Sequence, residues 1–227
     1  MAEENPIVKT LDRINDRLAG FFWDAFTALS VNQISGDYVE FGSWGCNTLR
    51  HAYHTARAWK GDRHLWAFDS FEALPDSDDP RDQHPVASGA GAGQGGVGAF
   101  HAACERFEVP REAYTAVEGY FEDTLPPLGS SGEPRDIALV YVDCNLYSST
   151  VTVFEFLAPR LKPGMIVAFD DWYLYNPDTG VSGEREALHE FLEAHPQWHF
   201  HRFKDIAWGS VAFVVEHSPT GSHRRPL

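Results

Sequence analysis

The segment Ile137-Ala-Leu-Val-Tyr-Val142 constrains this chain most, because six apolar residues run without a break and stop at Asp143. A strand with one wet face alternates apolar and polar side chains. An unbroken run marks a strand covered on both faces, as in a parallel sheet held between helices. The covers are legible too. Apolar residues recur at helical spacing from Ile7 to about Val31 (Leu11, Ile14, Leu18, Phe21, Phe22, Ala25, Phe26, Leu29), from Thr48 to Trp59 and from Phe100 to Phe107. They do so again from Gly183 to His195, where Leu188, Phe191 and Leu192 share a face ahead of Pro196. Ser149 or Thr150 is placed to cap another helix through Val151, Phe154 and Leu157, stopped at Pro159.

Between these helices lie Tyr38–Phe41, closed by Gly42, then His64–Phe68, ending in Asp69, then Tyr114–Glu118, and Met165–Phe169, ending in Asp170-Asp171. The last two strands, Trp198–Phe203 and Trp208–Val215, have only Lys204-Asp-Ile-Ala between them and must pair antiparallel. The pattern predicts an α/β fold: a doubly wound, mostly parallel, seven-stranded sheet with an antiparallel C-terminal hairpin strand.

Such a sheet binds its ligand beyond the carboxyl ends of its strands, at the point where strand order reverses. Four strands here end in informative residues. Glu40-Phe-Gly42-Ser-Trp-Gly45 is a GxxG turn without the third glycine of a dinucleotide loop; it lets a ligand reach the backbone, or merely closes a strand-to-helix turn. Asp69 can accept hydrogen bonds from both hydroxyls of a ribose, or sit in a solvated loop. Asp143, Asp170 and Asp171 belong to adjacent strand ends, where three carboxylates repel unless a cation joins them. Oxygen-only donors favour Mg²⁺ over zinc; the alternative is that each acid caps a helix or faces water. Tyr120 and Phe121 can stack on an adenine or pack beneath their loop. Trp172, Tyr173 and Tyr175 follow the aspartate pair, either walling an acceptor pocket or simply packing.

Eighteen basic against 33 acidic residues leave a net charge of −15, which repels nucleic-acid backbones and anionic membranes. No apolar stretch approaches the ~20 residues of a membrane span, and Met1-Ala-Glu-Glu-Asn lacks a signal-peptide layout, so the expectation is a soluble, cytoplasmic domain. Cys46, Cys104 and Cys144 form no CxxC pair and read as reduced core or near-site thiols. Residues 72–98, acidic and then glycine- and alanine-rich, are either a lid or a flexible insertion. The stretch from His217 to Leu227 reads as a loose tail.

Five segments carry a resemblance: Gly36-Asp-Tyr-Val-Glu-Phe-Gly-Ser-Trp-Gly45, Phe68-Asp-Ser-Phe-Glu-Ala-Leu-Pro75, Glu118-Gly-Tyr-Phe-Glu-Asp-Thr-Leu-Pro126, Val142-Asp-Cys-Asn-Leu-Tyr-Ser-Ser-Thr150 and Lys162-Pro-Gly-Met-Ile-Val-Ala-Phe-Asp-Asp171. Together they resemble class I S-adenosylmethionine-dependent methyltransferases and, more narrowly, the macrocin and mycinamicin type of sugar O-methyltransferases. The likeness runs from about Ser35 to Val215. It implies a Rossmann-like methyltransferase domain over 35–216, preceded by a helical region, 1–34, serving as lid, acceptor wall or dimer surface.

It also implies S-adenosylmethionine held by Glu40, Gly42, Ser43 and Trp44 at its methionine part, by Asp69 and Ser70 at its ribose, and by Gly119, Tyr120 and Phe121 along its adenine. Asp143, Asp170 and Asp171 match Mg²⁺ ligands, with Asp143 doubling as proton acceptor, and Trp172 and Tyr173 would face a small hydroxylated acceptor of secondary metabolism. Two departures stand out. Asp143-Cys144-Asn145 replaces the family's Asp-Gly-Asp, and the arginine common in its first glycine turn is absent. A nicotinamide-dependent oxidoreductase and a non-catalytic nucleoside-binding protein are the alternatives.

Overall fold

The computed structural model describes residues 6–59, 61–83 and 95–218. Its strands are β1 (Asp37–Phe41), β2 (Leu65–Asp69), β3 (Tyr114–Glu118), β4 (Ile137–Val142), β5 (Ile166–Phe169), a short hairpin of β6 (Tyr175–Asn176) and β7 (Val181–Ser182), and the final pair β8 (Trp198–Asp205) and β9 (Val211–His217). Seven of them form one sheet in the order β3-β2-β1-β4-β5-β9-β8, parallel except for β9, which runs antiparallel to both β5 and β8. Its helices are α1 (Pro6–Val31), α2 (Asn47–Ala58), α3 (Gly96–Arg106), α4 (Phe121–Ser131), α5 (Tyr147–Leu157) and α6 (Gly183–Ala194). The expected doubly wound sheet with its reversed strand is therefore present.

Every residue of β4 is buried, and its alternation divides the core in two. Leu139 and Tyr141 face the α1–α3 layer with Phe21, Phe22, Phe26, Tyr38 and Leu49. Val140 and Val142 face the α4–α6 layer with Phe41, Phe68, Phe154, Leu157 and Phe191. Phe21 and Phe22 are fully buried, their rings within 6.2 Å of Tyr141, so this part of the N-terminal helix is core, and Trp23 alone of that aromatic triplet is largely exposed. No helix among the described residues is long and apolar enough to cross a membrane.

Strand order reverses between β1 and β4, and the ladder continues one residue past each strand. Gly42 N–H donates to Phe68 O (2.8 Å), Asp143 N–H to Phe41 O (2.8 Å), Asp170 N–H to Val142 O (2.8 Å) and Gly119 N–H to Asp69 O (3.0 Å). All four strand-end motifs are thereby set at one level. Gly42 is required there: at φ +90°, a Cβ would lie 1.8 Å from the carbonyl oxygen of Asp143.

Two local expectations are corrected. The segment after β3, read as a loop at Tyr120 and Phe121, is a helix that runs through Pro126 and Pro127. The carbonyls their missing N–H groups leave unpaired lie on exposed Glu122 and Asp123, where water can satisfy them. Helix α5 begins at Tyr147, so Ser149 and Thr150 lie inside its first turn, Thr150 Oγ1 donating to Leu146 O (2.7 Å). The cap comes instead from Asp82, whose Oδ1 accepts Ser148 N–H (3.1 Å) across 66 residues.

Residues 72–83, part of the segment read as either a lid or a flexible insertion, are thus pinned. Asp82 also accepts from Ser77 Oγ (2.6 Å), Arg81 lies 3.5 Å above the Tyr147 ring, and Asn176 Nδ2 donates to Pro80 O (3.1 Å) and Gln83 O (2.9 Å). Residues 84–94 lie outside the described residues, as do 219–227 of the expected tail; His217 itself ends β9.

Candidate active site

A cavity of about 360 Å³ opens over the strand ends. Its walls include Gly42 and Trp44 after β1, Asp69 and Ser70 after β2, Tyr120 and Phe121 after β3, and Asp143, Asp170 and Asp171 after β4 and β5. Four separate sequence motifs meet there because the reversal in strand order points their loops at one another.

The β1–β3 side is held by hydrogen bonds to its own backbone. Asp69 Oδ2 accepts the N–H groups of Ser43 (2.8 Å) and Trp44 (2.9 Å), and Oδ1 accepts that of Phe71 (2.6 Å). Both acceptor positions of Oδ2 are filled and Oδ1 keeps one, so Asp69 shapes the glycine turn and has a single lone pair left for a hydroxyl. Trp44, at φ 34°, projects its indole outward, 67% exposed. Phe121 lines the cavity while its ring meets Phe41 edge-on at 5.7 Å, and Tyr120 stands beside it.

Glu40 lies behind this wall, fully buried. Its Oε2 accepts from Tyr38 OH (2.7 Å) and Thr48 Oγ1 (2.9 Å), Oε1 has no partner, and burial pushes the carboxyl up to about 7. Ser43 is buried behind the wall too, and Gly119, at φ +134°, serves the turn rather than the lining.

The β4–β5 side is a cluster of like charges. Carboxylate oxygens of Asp143, Asp170 and Asp171 all lie within 4.8 Å of one another. Tyr141 OH and Ser210 Oγ (2.9 Å) donate to Asp170 Oδ1; the backbone N–H (3.1 Å) and side-chain amide of Asn145 donate to Asp171 Oδ2. Burial, then Asp170 and Asp171, hold the Asp143 carboxyl well above its ordinary range, and burial followed by Asp170 raises Asp171 to about 7. The donor set is oxygen-only, convergent and electrostatically unbalanced, which fits a hard divalent cation.

A fourth acid escaped the sequence reading. Glu184, in the first turn of α6, is fully buried; its Oε2 accepts Asp171 N–H (2.9 Å) and its Oε1 has no partner. The approach needs Gly183, where a Cβ would lie 2.8 Å from the backbone nitrogen of Tyr147. An acid in a first helical turn is ordinary in sequence, so only the tertiary contact identifies it.

Trp172 and Tyr173 are not brought to the cavity by the described residues. The Trp172 ring packs on Phe213 (4.8 Å) and Phe169 (5.2 Å) in the core, and Tyr173 is exposed, its hydroxyl accepting from Arg202 (3.2 Å). Glu72, Leu74, Pro75, Glu122, Cys144, Asn145 and Ser149 line the cavity without having been singled out as site residues.

A family model described as macrocin O-methyltransferase (TylF) matches residues 14–205. The 8-demethyl-8-(2,3-dimethoxy-alpha-L-rhamnosyl)-tetracenomycin-C 4'-O-methyltransferase of Streptomyces olivaceus is 32% identical over 169 residues, covering 70% of this chain and 58% of its own length. The mycinamicin III 3''-O-methyltransferase of Micromonospora griseorubida is 25% identical over 171 residues, covering 71% and 62%. The matched region thus spans about three-fifths of these relatives. Among solved structures, the O-methyltransferase NovP superposes with a TM-score of 0.71 at 20% identity, over 87% of this chain and 79% of its own, a likeness of fold.

Proposed function

The chain belongs to the macrocin O-methyltransferase family, and on that premise we propose that it transfers a methyl group from S-adenosylmethionine to a hydroxyl of a small acceptor. The acceptor class we infer is a sugar of a glycosylated natural product, as in the rhamnosyl 4'-O-methylation that names one relative. The observation that carries this reading is the shared cavity. Asp143, Asp170 and Asp171 form one wall, and the glycine turn, Asp69, Ser70, Tyr120 and Phe121 form the others.

The residues divide the work. Gly42, without a side chain, lets the cofactor's methionine part approach a turn that Asp69 fixes through the Ser43 and Trp44 amides, and Tyr120 with Phe121 offers an aromatic edge to its adenine. Glu40 keeps an unpaired buried oxygen behind the turn, a matched acceptor for an ammonium donor. Asp170 and Asp171 are each oriented by two donors, so they hold a fixed position against an acceptor hydroxyl. Mg²⁺ bound by these acids with Asp143 would lower the pKa of that hydroxyl. Asp143, which lines the same cavity, would take its proton, while Asn145, an amide, cannot act as a base.

Methylation of candidate glycosides should be measured with Mg²⁺ and with a chelator, using Asp170→Asn combined with Asp171→Asn. Loss of turnover in both, with binding of S-adenosylhomocysteine retained, is the expected result. Undiminished turnover under chelation would overturn the metal role.

A further inference from the structure

Two of the three cysteines are placed for a chemistry that methyl transfer does not use. Cys46 ends the glycine turn at φ 66°, its N–H donating to Ser43 O (3.1 Å), and it begins α2. Cys104 lies 58 residues away on α3. Both side chains are buried, and their sulfurs are 3.1 Å apart. A disulfide needs about 2.05 Å, so bond formation requires an approach of only about 1 Å. Cys144 belongs to the core layer on the other face of the sheet and has no cysteine neighbour.

We propose that Cys46 and Cys104 are an oxidisable dithiol, converted by a small hydroperoxide to an intramolecular disulfide that ties the glycine turn to α3. The pair is asymmetric: contact with the neighbouring thiol raises the Cys46 pKa and lowers that of Cys104, which Tyr114 OH lowers further. Access assigns the attacking role to Cys104, because its α3 neighbours Ala102 and Glu105 line an open cavity. Tyr114, whose hydroxyl also meets His101 Nδ1 (2.8 Å), lines the same cavity, which is open and about 680 Å³.

In the first step, the Cys104 thiolate attacks a peroxide oxygen. The O–O bond breaks, hydroxide leaves, and Cys104 becomes a sulfenic acid. Cys46, losing its proton, then attacks that sulfur; the S–S bond forms, the S–O bond breaks, and water departs. Two thiols are oxidised and one hydrogen peroxide is reduced to two waters.

The proposal does not depend on the methyltransferase reading. Fully reduced protein would be treated with hydrogen peroxide, alkylated, digested and mapped by mass spectrometry, with and without subsequent dithiothreitol. The expected product is a cross-link joining the Cys46 and Cys104 peptides, two hydrogens lighter than the free pair and reversed by dithiothreitol. Cys144 should be recovered alkylated, and Cys144→Ser should retain the cross-link. Recovery of the Cys46 and Cys104 peptides separately, whether alkylated or over-oxidised to sulfinic acid, would overturn the proposal, as would a cross-link to Cys144.

Discussion

The two halves of the cavity are built on opposite principles. At the ends of β1–β3, Asp69 accepts three backbone amides and Gly42 is shaped by the carbonyl of Asp143, so this half is close to complete by itself. At the ends of β4 and β5, three carboxylates crowd within 4.8 Å with a buried glutamate behind them, and among the described residues no salt bridge offsets their mutual repulsion. Glu40 is an acid on the first side that shares the character of the second, buried with an unpaired oxygen. The difference teaches what each half asks of a ligand: the first offers a shaped surface, and the second a deficit of positive charge.

The contrast can be broken most forcefully at the aspartate pair. Asp170→Asn with Asp171→Asn should lower kcat/KM by about 10³ or more, roughly 4 kcal/mol of transition-state stabilisation. Affinity for S-adenosylhomocysteine, read by calorimetry, should change less than about threefold, since that ligand depends on the other half. Equal losses in both would erase the distinction between the halves.

Asp69→Ala attacks the self-sufficient side. Stranding the amides of Ser43, Trp44 and Phe71 should cost about 3 kcal/mol in urea unfolding and weaken the cofactor together with the fold.

The pH dependence of stability sharpens the comparison further. Glu40 and Asp171 both titrate near 7 in the folded protein, against ordinary values of 4.5 and 3.8. Between those limits the folded state keeps a proton that the unfolded chain has lost. The metal-free protein should therefore lose stability as pH rises from about 4 to 7, by up to roughly 3–4 kcal/mol per group. Glu40→Gln should remove part of that decline, and saturating Mg²⁺ only the part belonging to the acidic side. The smallest effect expected is from Glu184→Ala, which frees Asp171 N–H and should weaken Mg²⁺ binding about tenfold.

Strand ends were legible in the sequence because a buried parallel strand advertises itself as an apolar run and its terminal acid as a break. Asp69, Asp143, Asp170 and Asp171 were found that way, and the order of the sheet brought them together. What sequence hid was tertiary. Asp82 caps α5 from 66 residues away, α4 runs through two prolines because its unpaired carbonyls face water, and Glu184 matters only where Gly183 lets α6 close on Tyr147. Trp172 read as a pocket wall because an aromatic after a catalytic-looking pair has the same pattern whether it faces a ligand or, as here, packs against Phe213.

The central claim is that the acidic half is a divalent-cation site serving methyl transfer. Calorimetric titration of Mg²⁺ into the protein saturated with S-adenosylhomocysteine tests it most directly. One bound ion per chain, lost in the Asp170→Asn, Asp171→Asn protein, is the predicted result; no heat in the unmodified protein, or the same isotherm in both, would contradict it.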